Sequence, residues 1–290
     1  AGKEVVTIVG NNVGTNVGAA TTNGSDKVLA PGTLDMGGFD QAINGLVSTT
    51  GGFVTNNPTL AYNGSAWAVA AGRQGTKTLT LGNSSAQNPA FNGVILDGFS
   101  VQPGLTSTGF VGAINLVKTG TNTQTLSGAN TYSGTTDIQD GVIVASGGTN
   151  RLPSTTAVTL GSGVNSGRLQ LGDGTGAISQ TIAGLATAGT GTTNAVVGGN
   201  ASNSTLILNQ TGSATYSGRF GGSESNQNKL NFTLQGGGTL TVDGDSNTLA
   251  GDTTVQGTST LILNSALTSS AVTVGGASAG TLVSNETLGA

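Results

Sequence analysis

Two groups of aspartates are the residues whose type and spacing could do chemistry. Asp137 and Asp140 flank a turn, and Asp243, Asp245 and Asp252 form a looser second group. A glycosidase with paired carboxylates, or a polysaccharide lyase, would gather such acids on one face, usually beside Lys or Arg. Aspartate is also common in turns, because its side chain hydrogen-bonds the local backbone. We favour this turn interpretation for both groups and predict no catalytic residue.

A run of aspartates could also bind a metal ion. Residues 243–247 read D-G-D-S-N, which has the look of a calcium-binding loop. Thr248 stands where the helix-loop-helix calcium motif needs Gly, and Thr254 stands where it needs its closing Glu, so that motif fails. Residues 172–176, G-D-G-T-G, lack the spacing of a dinucleotide-binding loop, and no helix is predicted after them. We therefore predict neither a metal site nor a cofactor.

Two missing residue types limit the chemistry further. The 290-residue chain contains no histidine and no cysteine, which excludes Ser-His-Asp triads, zinc-histidine sites and disulfides. Its formal net charge is −4 and its nine Lys and Arg residues form no run, so nucleic-acid binding is not expected. No segment approaches the roughly 18 unbroken apolar residues of a membrane helix. We predict a non-enzyme that binds no nucleic acid and does not insert this segment into a membrane.

One local anomaly lies between residues 56 and 77, which carry Tyr62, Arg73 and the only tryptophan, Trp67. Alternating apolar residues on both sides of Asn63 are compatible with a protruding hairpin. Exposed Tyr, Trp and Arg are residue types that dominate binding at interfaces, so these three are candidate contacts for a partner. The competing interpretation, which we favour, is a loop in which Trp67 covers the core.

The elements that must position these residues are short β-strands. Alternating apolar runs recur about every ten positions, for example at residues 78–81, 142–144 and 272–274. Turns such as Asn-Gly separate them, and helical periodicity is nearly absent. The pattern predicts an all-β fold in which short units stack into a parallel solenoid. Because Asn-Gly also marks two-residue hairpins, an antiparallel β-sandwich is the alternative.

A long repeat underlies these strands. Residues 125–138, T-L-S-G-A-N-T-Y-S-G-T-T-D-I, recur in degenerate form at residues 241–255, and residues 41–46 recur at 180–185. The repeated segments keep their order while their spacing shrinks, as expected when loops change length and strands do not.

The repeat predicts how the chain is organised. We expect two diverged copies, at about residues 32–140 and 167–290, within one solenoid that spans residues 32–290. Residues 1–31 are predicted to be an N-terminal cap or edge-strand region. Tyr132 and Tyr216, which lie in matching T-Y-S-G contexts, are predicted core or corner residues.

The segment T-L-S-G-A-N-T-Y-S-G-T-T, preceded by L-V-K-T-G at residues 116–120, resembles the autotransporter-associated β-strand repeat of bacterial surface and secreted passenger domains. The similarity is most specific over residues 114–138 and extends in weaker form from residue 32 onward. The resemblance implies a right-handed parallel β-helix that is displayed outside a Gram-negative-type cell.

The expected function follows from the fold and the scarcity of chemistry. We expect a non-enzymatic extracellular structural or adhesive protein that displays surfaces for adhesion, matrix or filament assembly. The alternative is a carbohydrate-active β-helix, either a polysaccharide lyase or a hydrolase. The expected partner is a protein or glycan surface, and further copies of the chain could join end to end by strand pairing. The expected location is the bacterial cell surface or the medium, after removal of a signal sequence.

Overall fold

The computed structural model describes residues 5–7, 27–29, 32–57, 60–62, 67–69, 75–82, 88–100, 110–245, 247–276, 278–286 and 288–289. Within these ranges the chain forms short β-strands joined by turns and contains no helix. The all-β prediction is therefore confirmed. In the same ranges, no helix has the length and apolar character needed to cross a membrane.

The first twelve strands are β1 (Val5–Thr7), β2 (Lys27–Leu29), β3 (Thr33–Asp35), β4 (Gln41–Ile43), β5 (Gly45–Val47), β6 (Phe53–Thr55), β7 (Leu60–Tyr62), β8 (Trp67–Val69), β9 (Lys77–Gly82), β10 (Ala90–Phe91), β11 (Val94–Ile95) and β12 (Gly98–Ser100). The next eleven are β13 (Phe110–Gly112), β14 (Ile114–Thr119), β15 (Thr123–Leu126), β16 (Thr136–Ile138), β17 (Gly141–Ala145), β18 (Ala157–Leu160), β19 (Gly167–Leu171), β20 (Ser179–Ile182), β21 (Gly184–Thr187), β22 (Ala195–Gly198) and β23 (Ser204–Asn209). The remaining ones are β24 (Ser213–Tyr216), β25 (Arg219–Phe220), β26 (Leu230–Gln235), β27 (Thr239–Val242), β28 (Asn247–Thr248), β29 (Thr253–Val255), β30 (Thr260–Leu263), β31 (Leu267–Thr268), β32 (Val272–Val274), β33 (Thr281–Ser284) and β34 (Leu288–Gly289).

Most of these strands stack in parallel on three faces of a coil. The first face contains the six-stranded sheet β4-β9-β14-β16-β18-β21, followed by β24-β27-β30-β33. The second face contains β10-β15-β17-β19-β22-β25, followed by β28-β31-β34. The third face contains β3-β6-β11 and, further along, β20-β23-β26-β29-β32. The chain visits the third, first and second faces in turn, as in β23, β24 and β25, and each such circuit is one coil.

Parallel pairing along all three faces confirms the predicted parallel β-helix. In-register parallel ladders join β14 to β9, β19 to β22 and β23 to β26. The alternative antiparallel β-sandwich is therefore wrong. In the described part of the chain, the antiparallel strand pairs are β2 with β3, β7 with β8, and β12 with β13. Two isolated antiparallel bridges occur in turns, Ser162 with Asn165 and Asp173 with Gly176.

Two of the antiparallel pairs leave the coil at the same corner. The pair β7–β8 follows β6, and the pair β12–β13 follows β11, so each occurs between the third and the first face. In the β7–β8 pair, Tyr62 lies opposite Trp67 in the ladder. A hairpin is therefore present here, although the sequence favours a loop, and the second hairpin was not predicted.

Inward-facing apolar side chains of successive coils form one core. On the first face Leu79 pairs with Leu116 in the ladder, and both are fully buried. On the third face Leu208 pairs with Leu234, again with no exposed surface. Burial of each such leucine contributes about 1.5–3 kcal/mol to folding. The strands alternate because one set of side chains must reach this core while the other set faces out.

The two tyrosines of the repeat lie inside this core, as predicted. Tyr132 and Tyr216 are fully buried. The Tyr132 hydroxyl lies 2.6 Å from Oγ1 of Thr136, and the Tyr216 hydroxyl donates to the carbonyl of Arg219 at 3.0 Å. Each ring therefore contributes apolar area while its hydroxyl group is hydrogen-bonded.

Buried asparagines join coils at the corners. Asn130 accepts a hydrogen bond from Ile95 N at 2.7 Å, and Asn247 accepts one from Phe220 N at 2.9 Å. Each also donates from Nδ2 to a nearby glycine carbonyl, that of Gly128 at 3.2 Å and that of Gly244 at 2.6 Å. These side chains satisfy backbone groups that the strand ladders leave unpaired at a corner.

The matched segments of the repeat lie on different faces. Residues 125–126 belong to β15 on the second face, whereas residues 241–242 belong to β27 on the first. The same one-face shift relates β16 to β29, β4 to β20 and β18 to β32. In each matched pair, the segment that comes later in the sequence lies on the face that the chain visits one step earlier in the circuit. The division into two copies stays a prediction. A shift of one face is the geometric relation between the matched strands of the two predicted copies.

Candidate functional site

An open groove of about 320 Å³ runs along the outside of the second face. It crosses β17, β19, β22 and β25, and so it follows the axis of the stack across four coils. Arg168 and Arg219 line it together with Asp140, Glu224 and polar side chains of the turns. This groove is the candidate functional site.

The register of four strands builds the floor of the groove. Val142 of β17 pairs with Arg168 of β19, which pairs with Ala195 of β22, which pairs with Arg219 of β25. In β19 the alternation sends Leu169 to the core and Arg168 outward. Because neighbouring strands lie about 4.8 Å apart, the backbones of the two arginines are about 10 Å apart.

Small apolar residues flank the arginines, and Ala195 lies between them in the outward row. Val142 is 7% exposed and Ala195 is 3% exposed, although both belong to the outward row. Val197, in the next outward row, is 1% exposed. These residues are small and almost fully covered, so the long arginine side chains can lie over them with their charged ends free.

A loop closes one end of the groove. The turn after β25 folds back over β22, where Gly198 N donates to the carbonyl of Gln227 at 3.0 Å. Gln227 N in turn donates to the carbonyl of Glu224 at 3.1 Å. The exposed Glu224 side chain therefore stands at the closed end.

The two arginines are the uncompensated charges of the groove. Within the ranges that the structure describes, neither guanidinium group makes a hydrogen bond or an ion pair. Both residues are half-buried. A guanidinium group offers five donors in a planar fork that fits a carboxylate, sulfate or phosphate group.

The Asp140 side chain, unlike the two guanidinium groups, has a hydrogen-bond partner among the described residues, and an opposite charge lies near it. Its Oδ1 accepts a hydrogen bond from Gly141 N at 2.9 Å. Beneath it lies the buried Lys118, whose Nζ donates to the carbonyls of Thr119 at 2.7 Å, Gly120 at 2.6 Å and Asp140 at 3.4 Å. Burial lowers the pKa of Lys118 to about 8, and the charge of Asp140 opposes that shift. The Asp140 carboxylate thus lies close to a cation of the same coil.

The structure does not gather the predicted candidate acids into one site. Asp137 points outward from β16 on the first face, where burial raises its pKa against the hydrogen bonds of Thr159 and Thr135. Asp140 lines the groove on the second face. Asp243 follows β27, four strands further along the first face and about 19 Å away. Its Oδ1 accepts a hydrogen bond from Asn264 at 2.6 Å.

The other acids of the second group are also separate. Asp245 and Asp252 are exposed. Asn247, which completes the D-x-D-x-N pattern, is buried and directs its amide to backbone groups of the fold. In the part of the chain that the structure describes, no three acidic residues come together as metal ligands would.

The candidate contacts Tyr62, Trp67 and Arg73 stay a prediction. The backbone of Tyr62 and Trp67 belongs to the β7–β8 hairpin, but their side chains and the whole of Arg73 lie outside the described residues.

Sequence reasoning missed Arg168 and Arg219, which it counted among scattered basic residues. They are 51 positions apart, since 219 − 168 = 51. The available signal was local: Arg168 directly precedes the alternating run Leu169 to Leu171, so an outward position could be assigned to it. The coil lengths that bring the two arginines into one row were not readable.

Comparisons with known proteins agree with this architecture. Residues 116–145 and 232–257 match the model of the passenger-associated-transport-repeat. The chain therefore carries the repeat of passenger domains, as the resemblance of residues 114–138 predicted, and that repeat is typical of secreted or cell-surface segments. Neither a curated protein nor a solved structure matches the chain.

The two matches have a clear structural meaning. The first covers strands from β14 to β17, and the second covers strands from β26 to β29. Each covers somewhat more than one full circuit of the coil, since one circuit runs from Leu116 to Thr136 in the first match and from Phe232 to Thr253 in the second. The repeat therefore corresponds to a structural unit that can only bury its apolar side by stacking on its neighbours.

Proposed function

We propose that this chain is a passenger-type segment that acts outside the cell as a stiff β-helical support, and that its role is contact and not catalysis. The observation that carries the proposal is the match of two separate coils to the passenger-associated repeat. The role would be adhesion or the building of a surface matrix.

The architecture supports such a role physically. One continuous core extends from Leu34 to Leu267, and the ladders on its three faces hold the outward side chains at fixed spacings. A partner can therefore meet a preorganised surface without ordering it first. The groove on the second face is one such surface, and the β7–β8 hairpin with Tyr62, Trp67 and Arg73 is a second candidate.

The location of the chain tests this proposal. An antibody against the folded chain should label intact cells of the source bacterium, or should detect the chain in the medium. A cytoplasmic protein probed in the same cells is the control for lysis. Labelling that appears only after the cells are permeabilised would contradict the proposal.

A second candidate function is cleavage of an acidic polysaccharide. One observation favours it: Asp140 lies in the same groove as Arg168 and Arg219. A carboxylate beside basic residues is the arrangement expected of a lyase. A hydrolase would need a second carboxyl group about 5–10 Å from the first, and Asp137, the nearest acid in sequence, projects from another face. We therefore keep cleavage as the alternative.

A further inference from the structure

We propose that the groove on the second face binds a segment of an acidic polysaccharide, with one anionic group of the ligand at Arg168 and another at Arg219. This inference rests on the proposed function, because a protein displayed outside the cell would meet such a ligand. It specifies the chemical class of the partner, which the match to the passenger-type repeat does not.

The unpaired arginines indicate an anionic ligand. The chain as a whole has a net charge of −4, so two half-buried cations without a partner among the described residues are a local exception. Their backbones are about 10 Å apart in one outward row. A ligand with two anionic groups at a similar separation can engage both guanidinium groups through charge-assisted hydrogen bonds.

The carboxylates of the groove determine where the anionic groups of a ligand can bind. Asp140 already accepts from Gly141 N and lies over the Lys118 ammonium. Glu224 is exposed at the closed end and would repel an anionic group placed there. The ligand is therefore expected to place its anionic groups at the arginines and neutral hydroxyl groups near the loop.

The lining favours a sugar chain over a peptide. Hydroxyl groups of Thr121, Ser166, Thr193 and Ser223 surround the arginines, and such groups both donate to and accept from sugar hydroxyls. An extended peptide is usually bound by a free strand edge or by apolar pockets. The floor strands β17, β19 and β22 are paired on both sides, so none of these three presents an open edge in the groove. Beside β25, which ends this sheet, Gly221 forms a parallel bridge to Thr248 of β28.

Titration of the full 290-residue chain with defined oligosaccharides tests the proposal. The probes are an oligogalacturonate, a sulfated oligosaccharide of similar length and a neutral oligosaccharide, each followed by calorimetry at low salt. We expect binding of an acidic probe and none of the neutral probe at the same concentration. The carboxylated and sulfated probes distinguish the two sources of negative charge. Binding should weaken when the ionic strength rises from about 0.05 to about 0.5 M.

Variants of the two arginines make the test specific. Arg168→Gln and Arg219→Gln each remove one positive charge from the groove. Each is expected to weaken binding about tenfold or more, because each removes a charge-assisted contact. Lys77→Gln, on the first face, makes the same change in net charge away from the groove and should leave binding unchanged. Circular dichroism verifies that each variant is folded.

Three outcomes would overturn the proposal. One is the absence of binding by both acidic probes. Another is binding that the neutral probe matches or that the arginine variants leave unchanged. The third is equal binding of a poly-glutamate peptide with the same dependence on both arginines, which would assign the groove to peptides. None of these results bears on where the chain is located, so the proposed function stands or fails by its own test.

Discussion

Lys118 is the residue whose chemistry departs furthest from the rest of the core. Its position on β14 faces inward at the corner between the first and second faces, where the apolar row would otherwise continue with Leu81 and Ile138. The ammonium group supplies hydrogen bonds to three carbonyl oxygens of the turn. A buried charge of this kind stabilises a turn only because its donors are satisfied.

The lowered pKa of Lys118 predicts a pH dependence of stability. The pKa is about 8 in the folded chain against an ordinary value of 10.5 for lysine, so between these values the unfolded chain holds more protons and the free energy of unfolding rises with pH. Relative to Lys118→Met, the native chain should gain about 1–2 kcal/mol between pH 8 and pH 10 after allowance for solvent screening. Urea unfolding at a series of pH values measures this difference.

The window for this measurement ends near pH 10. Burial raises the pKa of Tyr132 and Tyr216, so above their ordinary value of 10 the unfolded chain loses protons first and stability falls with pH. Both tyrosines are present in the native chain and in the Met variant, so their effect cancels in the difference. Parallel stability curves for the two proteins would contradict the assignment of the slope to Lys118.

The buried asparagines at the corners of the coil predict a second effect on the free energy of unfolding. Asn247→Ala removes the acceptor of Phe220 N and one of the two donors to the carbonyl of Gly244. The buried Phe220 N–H is then left unpaired, whereas the Gly244 carbonyl keeps its hydrogen bond from Ser265 Oγ at 2.7 Å. We expect a loss of about 2–4 kcal/mol in the free energy of unfolding.

An exposed asparagine of the same region is the control for this variant. Asn264 hydrogen-bonds Asp243 and Asn285 at the surface, and Asn264→Ala should cost less than about 1 kcal/mol. Denaturant unfolding of both variants decides the matter. Equal losses would mean that the buried corner contacts do not contribute as described.

At the scale of elements, the corners bring successive turns very close together. A Cβ atom added to Gly128 would lie 1.7 Å from the carbonyl oxygen of Gly93, and one added to Gly244 would lie 1.7 Å from that of Gly218. Residues 91–93 and 216–218 are counterparts in the repeat, as are the two glycines that pack on them. The same close approach therefore occurs at two corners that lie one face apart.

This close approach predicts a matched pair of sensitive glycines. Gly128→Ala and Gly244→Ala should each destabilise the chain by about 2–3 kcal/mol or more, because the coils must separate to admit the methyl group. Gly212→Ala is the control, since a Cβ atom there would meet nothing within 4 Å. Thermal unfolding measures all three. Near-native stability in either of the first two variants would contradict the described packing.

Several strands could be read from the sequence because alternation is a local property. The runs at residues 78–81 and 272–274 lie in β9 and β32, and residues 142–144 lie in β17. The face to which each strand belongs could not be read. That assignment depends on the length of every preceding turn, which the strands do not specify.

The candidate site shows the same limit. Arg168 and Arg219 meet in one row only because the intervening coils contain 27 and 24 residues, as 195 − 168 = 27 and 219 − 195 = 24. Coils of unequal length can still stack in register when their turns absorb the difference. The prediction that Asp140 belongs to turn chemistry agrees with its contact to Gly141 N, but its place beside the arginines needed the three-dimensional fold.

At the scale of the whole molecule, the residues that hold the fold together differ from the residues that form a contact surface. Its core and ladders hold the shape, and the outward rows are free to vary in sequence without loss of fold. Two outward rows illustrate this freedom: one on the second face carries Arg168 and Arg219, whereas one on the first face carries Thr260 and Thr281. A contact surface can thus be placed at one position along the stack while the repeat continues.

The central claim is that this surface makes contact with a ligand and leaves it intact. Mass spectrometry of an acidic oligosaccharide, recovered after long incubation with the full chain, tests it most directly. The predicted result is a ligand of unchanged length, both with the native chain and with variants in which Asp137, Asp140, Asp243 or Asp245 is replaced by Asn. Shorter products that disappear in the Asp140→Asn variant would contradict the claim and establish the chain as a carbohydrate-cleaving β-helix.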